Sequence, residues 1–406
     1  MRSTLLMILS LICAFPVNAQ TLDVDKEIEY CRKQALRSLV EFRGEYGNID
    51  YTTTPRNIGP HERHWNLREV TPDEWCSGFF PGILWMVGSS TNNHSTDGQT
   101  KKENDNILKD ASGYTEAMEY LAYRPIFDHD LGFQMIGSFM KGYEVTRNQH
   151  YRDVLLAAAD TLATLFNPKV GTLLSWPRNV KMFGGHNTII DNMINLELLF
   201  FSGKKENIDI AISHADTTMR YHFSPDGTVN HVAVYDPISG KHLYNCTHQG
   251  FGDNTLWSRG QSWAIYGYTM VYRYTKDRKY LDFAQKVTDV MLKQLPADYV
   301  PWWDQGDPMI PHSFRDASAG AVIASALIEL STYVDDEKSE YYLNEAKSIL
   351  TTLSSAEYQS REKNPAFLMH SVGNYPAGSE IDYSINYADY YYIEALLRLK
   401  KLGVNG

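Results

Sequence analysis

Cysteine is scarce in this 406-residue chain: there are four, and Cys13 falls in an apolar stretch at the start. The other three, Cys31, Cys76 and Cys246, make no disulfide framework, and their spacing fits no zinc site. They read as small buried apolar residues. Long apolar runs are equally missing. Beyond the first twenty residues no stretch approaches the ~18 continuous apolar residues of a membrane helix, so no membrane-spanning helix is expected. Positive charge is in deficit. The chain has 38 Lys and Arg against 49 Asp and Glu, a net charge of −11. A nucleic-acid partner would favour the opposite sign, so none is expected. An anionic small molecule stays possible if its cleft is locally positive. The HExxH, GxSxG and phosphate-loop patterns do not occur, which removes the commonest sequence signals for zinc proteases, serine hydrolases and nucleotide hydrolases.

The first residues read as a signal peptide. Met1-Arg2 gives a positive start, Leu5 to Phe15 is an apolar run too short to span a bilayer, and Val17-Asn-Ala19 is a small-x-small cleavage site. Ile12 before Cys13 argues against a lipoprotein signal. The expectation is a leader over residues 1–19 and an exported, periplasmic protein over 20–406. Loss of the leader removes Arg2 and no acid, so the net charge becomes −12. Hydrophobic residues make up 43% and charged residues 21%, the balance of a globular protein. Aromatics reach 13%, with 27 Tyr and 8 Trp. Most can be core, but ring faces also stack on sugars.

Helical periodicity runs through almost the whole chain. It predicts twelve helices, over 24–43, 73–87, 109–123, 129–145, 148–166, 186–202, 204–222, 257–275, 277–295, 314–334, 337–354 and 383–401. Links from odd to even helices are mostly long. Links from even to odd are mostly tight, as at Arg147, Gly203, Lys276 and Asp335-Asp336, and tight links join antiparallel neighbours. The polar stretch 88–108 breaks this rule and reads as a surface insertion. Residues 229–246 carry a hairpin signal around Ile238-Ser-Gly240. Six helical hairpins closing on themselves make an all-α (α/α)6 barrel with a β-hairpin at one rim, a single domain. An open solenoid would need a fixed-period repeat, and none is present.

The residues with chemical potential fall on one predicted rim. Asp128, His129 and Asp130 open the fourth helix, and Asp191 opens the sixth. His231, Thr247 and Gln249 lie on the loop before the eighth, where Arg259 and Trp263 follow. Trp75 lies at the start of the second helix, and Trp176 lies on another long link. Helix N-termini converging there favour an anion, and an arginine fork matches a carboxylate. Two neighbouring carboxyls drive one pKa upward, so one can hold a proton near neutrality. Each residue has an ordinary reading as well: a helix-end acid, a structural ion pair, or core. The acid cluster at 128–130 matches no cation-binding loop, and neither metal nor cofactor is expected.

The ordered motifs Trp75-Cys-Ser-Gly-Phe-Phe-Pro-Gly-Ile-Leu-Trp85, His129-Asp-Leu-Gly-Phe133, Ile190-Asp-Asn-Met-Ile194, Gln249-Gly-Phe-Gly-Asp253, Trp257-Ser-Arg-Gly-Gln-Ser-Trp263, Arg315-Asp-Ala-Ser-Ala319 and Asn386-Tyr-Ala-Asp-Tyr-Tyr391 resemble those of the unsaturated glucuronyl hydrolases, glycoside hydrolase family 88. The resemblance runs from about residue 24 to 400. It implies an (α/α)6 barrel that acts downstream of a polysaccharide lyase. The substrate would be an oligosaccharide of glycosaminoglycan type with a 4,5-unsaturated uronic acid at its non-reducing end. Hydration of the C4=C5 vinyl ether would release that sugar without a cofactor. By position Asp191 matches the general acid/base and Asp130 the second essential carboxyl. His231, Thr247, Gln249 and Arg259 match positions that hold the uronate or the water. Trp75, His129, Trp176 and Trp263 match the pocket wall, Trp176 as a stacking platform. Residues 371–380 contain Glu380 and no Lys or Arg, which speaks against a sulfate contact from that segment. Competing readings are an unsaturated rhamnogalacturonyl hydrolase acting on pectin fragments, a non-catalytic glycan-binding protein, and a lyase or epimerase using His129 or His231.

Overall fold

The computed structural model describes residues 22–43, 47–90 and 98–403. The expected leader lies outside them. Helices that must be buried on every side need apolar or small residues all round, and those on the outside need one apolar stripe. The chain alternates between the two kinds. The outer set is α1 (Val24–Arg43), α3 (Gly98–Ala117), α5 (Gln149–Ala163), α7 (Lys205–Tyr221), α9 (Arg278–Leu292) and α11 (Asp336–Leu353). The inner set is α2 (Phe79–Ser89), α4, α6 (Asn192–Phe201), α8 (Ser258–Thr275), α10 (Ala317–Ser331) and α12 (Asn386–Lys401). Helix α4 runs as Leu131–Met135, a π turn at Ile136–Met140, and Lys141–Thr146. Each inner helix touches the next, and α12 returns to α2, so the ring closes as the (α/α)6 barrel.

The tight links have a local cause. Arg147, Lys276 and Gly203 each end an inner helix in the left-handed region, with φ of 56, 56 and 68°, as helix C-termini commonly do. The next residue or two then start the outer helix: the side chains of Asn148, Asp277 and Asp335 accept backbone N–H bonds from His150, Lys279 and Lys338. The chain therefore reverses within a few residues at this end, and the long links gather at the other.

Those long links hold more strand than expected. Strands β1 (Thr53–Ile58), β2 (Asn66–Glu69), β8 (Ser371–Asn374) and β9 (Ser379–Ile385) form one antiparallel sheet in the order β2-β1-β9-β8. Short strands β3 (Phe166–Asn167) and β4 (Thr172–Leu173) pair with each other. The expected hairpin is present as β6 (Val232–Tyr235) and β7 (His242–Cys246), with β5 (His186–Ile189) added along β6. Residues 186–189 were expected to be helical. They pair instead as a ladder with β6, where Thr188 and Ile189 suit a buried strand, and the sixth helix begins only at Asn192. Likewise residues 383–385 belong to β9, and α2 starts at Phe79 rather than at 73. The stretch 98–108, read as an insertion, is the first half of α3. Its early turns bury only Asn104 and Ile107, so the apolar period is too thin to see. The third helix was expected to reach 123, but it ends at Ala117 and a 3₁₀ turn follows at Glu119–Tyr123.

Helices α2 and α4 cross backbone to backbone. A Cβ on Gly137 would lie 2.5 Å from the Gly78 carbonyl oxygen, and one on Gly78 would strike the Gln134 backbone. Neither contact is with a flexible side chain, so the ring cannot accommodate the methyl without moving a helix. Gly137→Ala should therefore cost about 1–3 kcal/mol, read as a lower denaturant midpoint at unchanged slope. A midpoint equal to that of the native chain would show that the crossing is looser than drawn.

Candidate active site

Strand pairing brings the first two groups together. The last bond of the β5–β6 ladder runs from the Ile190 N–H to the His231 carbonyl at 3.0 Å. Asp191 follows Ile190 at the N-cap position of α6, where its side chain makes no cap bond and its carboxylate faces the His231 ring. Nδ1 of His231 accepts from the backbone N–H groups of His248 (3.1 Å) and Gln249 (3.2 Å). The ring proton is then on Nε2, which stands 3.5 Å from Asp191 Oδ2. That is long for a hydrogen bond, so the N–H attracts the carboxylate without being used up by it.

A second pair repeats the design. Asp130 occupies the N-cap position of α4 without a side-chain cap bond. Asn195 of α6 donates its side-chain amide to His129 Nδ1 at 2.9 Å. This leaves the proton on Nε2, 3.5 Å from Asp130 Oδ1. Gly132 leaves the room that Asn195 occupies, since a Cβ there would collide with the amide. Both imidazoles are buried, at 0% and 2% exposure.

Trp176 joins the pairs. Its ring meets His129, His231 and His248 edge-on at centroid distances of 6.3, 6.0 and 5.1 Å, and stacks on Phe183. Reciprocal bonds between its backbone and the Asn187 side chain fix it in place. Trp75 is half-buried against Phe79, Phe133 and Tyr387. Trp263 is fully buried against Phe133 and Tyr391, so it supports the wall from behind, with its indole N–H lacking a partner. Polar atoms that are buried yet unpaired collect here: His129 Nε2, Asp191 Oδ2, Asn192 Oδ1, His231 Nε2, Trp263 Nε1 and the Tyr387 hydroxyl. Burial without a partner is costly, and a cluster of such atoms marks hydrogen-bonding capacity held for a polar ligand.

The remaining expected residues are placed differently. Thr247 closes its own loop: its hydroxyl accepts from the Gly250 N–H and its N–H donates to Asp253. Gln249 is half-buried and reaches the Gly373 carbonyl at 3.4 Å. Arg259 is 2% exposed. Its Nη1 binds Asp316 at 3.0 Å and also the Val372 carbonyl, and Nη2 binds the Gly373 carbonyl. Its fork is thus largely spent on protein, the structural role that was the ordinary reading. Three residues escaped the sequence reading. Asn195 looks like any helix residue, and Asp316 shows only as a helix cap. Arg56 lies 324 positions from Glu380, which it grips at 2.7 and 2.8 Å while also holding Glu74 at 2.7 Å. No cation near 380 in the sequence therefore did not mean none near it in space. Asp128 pairs with Arg178, and no metal-binding group of side chains occurs among the described residues.

The chain is 43% identical over 346 residues to the unsaturated glucuronyl hydrolase of Formosa agariphila, a match covering 83% of this chain and 82% of that one. The chain belongs to the unsaturated glucuronyl hydrolases. It is also 30% identical over 336 residues to the unsaturated chondroitin disaccharide hydrolase of Streptococcus pneumoniae, covering 81% of this chain and 82% of the relative. Among solved structures, an unsaturated glucuronyl hydrolase specific for heparin superposes with a TM-score of 0.81 at 38% identity, over 94% of this chain and 99% of that one. No family model matches the chain.

In this hydrolase the two carboxyls are driven apart. Burial, then the Asp191 charge, push Asp130 up to about 7. Burial also works against ionisation of Asp191, but His231, His129 and Arg259 outweigh it and hold that carboxyl below its usual range. Burial drives His129 down to about 4, so its ring stays neutral and remains a donor. Near neutrality the free site therefore keeps a negative Asp191 beside a proton-holding Asp130. Below pH 7 Asp130 is neutral. Above it a second negative charge appears in a site that must admit a uronate. kcat/KM should thus fall as the pH rises through about 7, and Asp130→Asn, whatever its absolute rate, should lose that limb. An alkaline limb unchanged in the variant would assign it to another group.

Proposed function

We propose that this enzyme removes the 4,5-unsaturated uronic acid from the non-reducing end of oligosaccharides cut from glycosaminoglycans by polysaccharide lyases. The observation that carries the reading is the pair of buried carboxyls with opposed pKa shifts, ringed by unpaired donors. Such a site suits a small polar anion and proton transfer rather than binding alone. Its two Nε2–H groups can meet sugar hydroxyls and a carboxylate, and Trp176 offers a ring edge and face to the pyranose. The relatives named above, a chondroitin disaccharide hydrolase and a heparin-specific enzyme, favour glycosaminoglycan fragments over pectin fragments.

The reaction needs one proton delivered and one removed. A carboxyl protonates C4 of the vinyl ether while a water oxygen bonds to C5 and loses its proton. The C5 hemiketal then opens to a C5 ketone, and the ring oxygen leaves C5 and takes a proton, so that C1 becomes a hemiacetal; this collapses to an aldehyde as the remaining sugar leaves with its oxygen protonated. Asp191 is the group proposed for both transfers. It rests ionised, but a bound uronate brings a like charge and expels water, and both raise a carboxyl's pKa. Substrate binding itself would then load Asp191 with the proton it donates. Asp130, neutral at rest, can donate to a ring hydroxyl. The leader sequence at residues 1–19 supports export to the periplasm, where lyase products would reach the enzyme.

The test follows the ultraviolet absorbance of the conjugated double bond in unsaturated disaccharides from hyaluronan, chondroitin, heparin and pectin. The native enzyme should abolish the signal with glycosaminoglycan products. Asp191→Asn should fold and bind but lose about 10²–10⁴-fold in kcat. Near-normal turnover by Asp191→Asn would remove it from the acid/base role, and preference for the pectin product would move the enzyme to that substrate class.

A further inference from the structure

Three arginines stand near the site, and two are committed to the protein. Arg56 is held by Glu380 and Glu74, and Arg259 by Asp316 and two carbonyls. Arg178 differs. Its side chain is 42% exposed, and its guanidinium makes one ion pair, with Asp128, while lying over the Phe127 ring at 4.9 Å. The segment that carries it starts at Trp176, the residue whose ring touches both catalytic-site histidines. It continues through the 3₁₀ turn Pro177–Asn179 into the helical turn Val180–Phe183. Residues 176–186 contain two cations, Arg178 and the exposed Lys181, and no acid. That is a positive lip on a protein of net charge −11. Its partner Asp128 stands two residues before Asp130 in the chain, and the charge of Arg178 acts on Asp130, His129 and His248, so the guanidinium lies within electrostatic reach of the site. The segment 371–382 contains Glu380 and Asp382 and no cation, and both acids are held by the protein, Glu380 by Arg56 and Asn57 and Asp382 by His370.

We infer that Arg178 is a specificity-determining residue that receives a sulfate ester on the sugar attached to the unsaturated uronate. This rests on the proposed substrate class and goes beyond it. A uronate deep in the pocket reaches the two carboxyls and histidines. The next sugar must then pass the lip that carries Trp176 and Arg178, where a half-exposed fork with unspent N–H groups matches the oxygens of a sulfate. Asp128 and Phe127 hold that fork in place but satisfy only one side of it.

The experiment compares kcat/KM of the full-length mature enzyme on unsulfated and singly sulfated unsaturated chondroitin and heparin disaccharides, for the native chain, Arg178→Gln and Arg178→Lys. The glutamine retains a donor for Asp128, so the buried acid is not abandoned, and thermal midpoints check folding. Arg178→Gln should lower kcat/KM at least tenfold, through KM, on disaccharides sulfated on the second sugar, and less than twofold on unsulfated ones. Arg178→Lys should recover part of the loss. An equal loss on both kinds would place Arg178 against the uronate carboxylate and overturn the inference, as would no loss on either. A native enzyme that cleaves only unsulfated disaccharides also overturns it while leaving the proposed function intact. Failure to cleave any of them would bring down the proposed function itself.

Discussion

The buried ion pair between Arg259 and Asp316 ties the catalytic rim together. Asp316 caps α10 by accepting from the N–H groups of Ser318 and Ala319, and the same carboxylate accepts from Nη1 of Arg259 on α8. Arg259 in turn binds the Val372 and Gly373 carbonyls of β8 and lies over the rings of Trp257 and Tyr387, at 4.7 and 5.5 Å. Two inner helices, one sheet and the first turn of α12 thus meet at a single guanidinium. Losing one partner of so buried a pair typically costs 3–5 kcal/mol, because the other charge is left in a low-dielectric interior. The pair also has an electrostatic consequence: the fixed cation helps to keep Asp191 ionised.

That arrangement shows what can be read from residues in order and what cannot. The inner and outer helices were legible because burial on all sides and burial on one stripe write different periods. The tight links were legible because helix ends carry their own signals. The carboxyls, both histidines and Trp176 were found because they fall at helix starts or on long links that all lead to one rim. Strand β5 was hidden, since four residues running straight into a helix share its apolar character. The Arg56–Glu380 pair was hidden for a different reason. It is made by β1 and β9 lying side by side, and no local pattern encodes which distant strands will pair. Arg259 was seen, but its partners Asp316 and the β8 carbonyls could be known only from the fold.

An acidic protein that binds an acidic sugar needs a local solution. Here it consists of neutral donors more than of net positive charge. Helix α6 presents its N-terminus at Asp191, and two imidazoles are locked by their Nδ1 contacts so that each offers an N–H inward. Burial keeps His129 neutral, so its donor survives across the physiological range. A fixed dipole of this kind stabilises charge without competing for the proton that the reaction needs. It also explains why one carboxyl can ionise beside another: the His231 side of the site lowers Asp191, and the price falls on Asp130.

The segment from 370 to 382 is held under backbone strain. His370, Glu380 and Asp382 all have positive φ, at 64, 54 and 65°, a region that non-glycine residues seldom occupy. Such conformations persist only where the surroundings over-determine them. Here the ties are specific: Arg56 and Asn57 hold the Glu380 carboxylate, and His370 Nδ1 lies 2.6 Å from Asp382. Each strained residue is thus a member of a polar contact that would be lost if its backbone relaxed. The strained segment is also the one whose carbonyls receive Arg259, so its rigidity fixes the guanidinium and, through it, the charge that acts on Asp191. A loop free to relax would let that charge move, and with it the difference between the two carboxyls on which proton transfer depends.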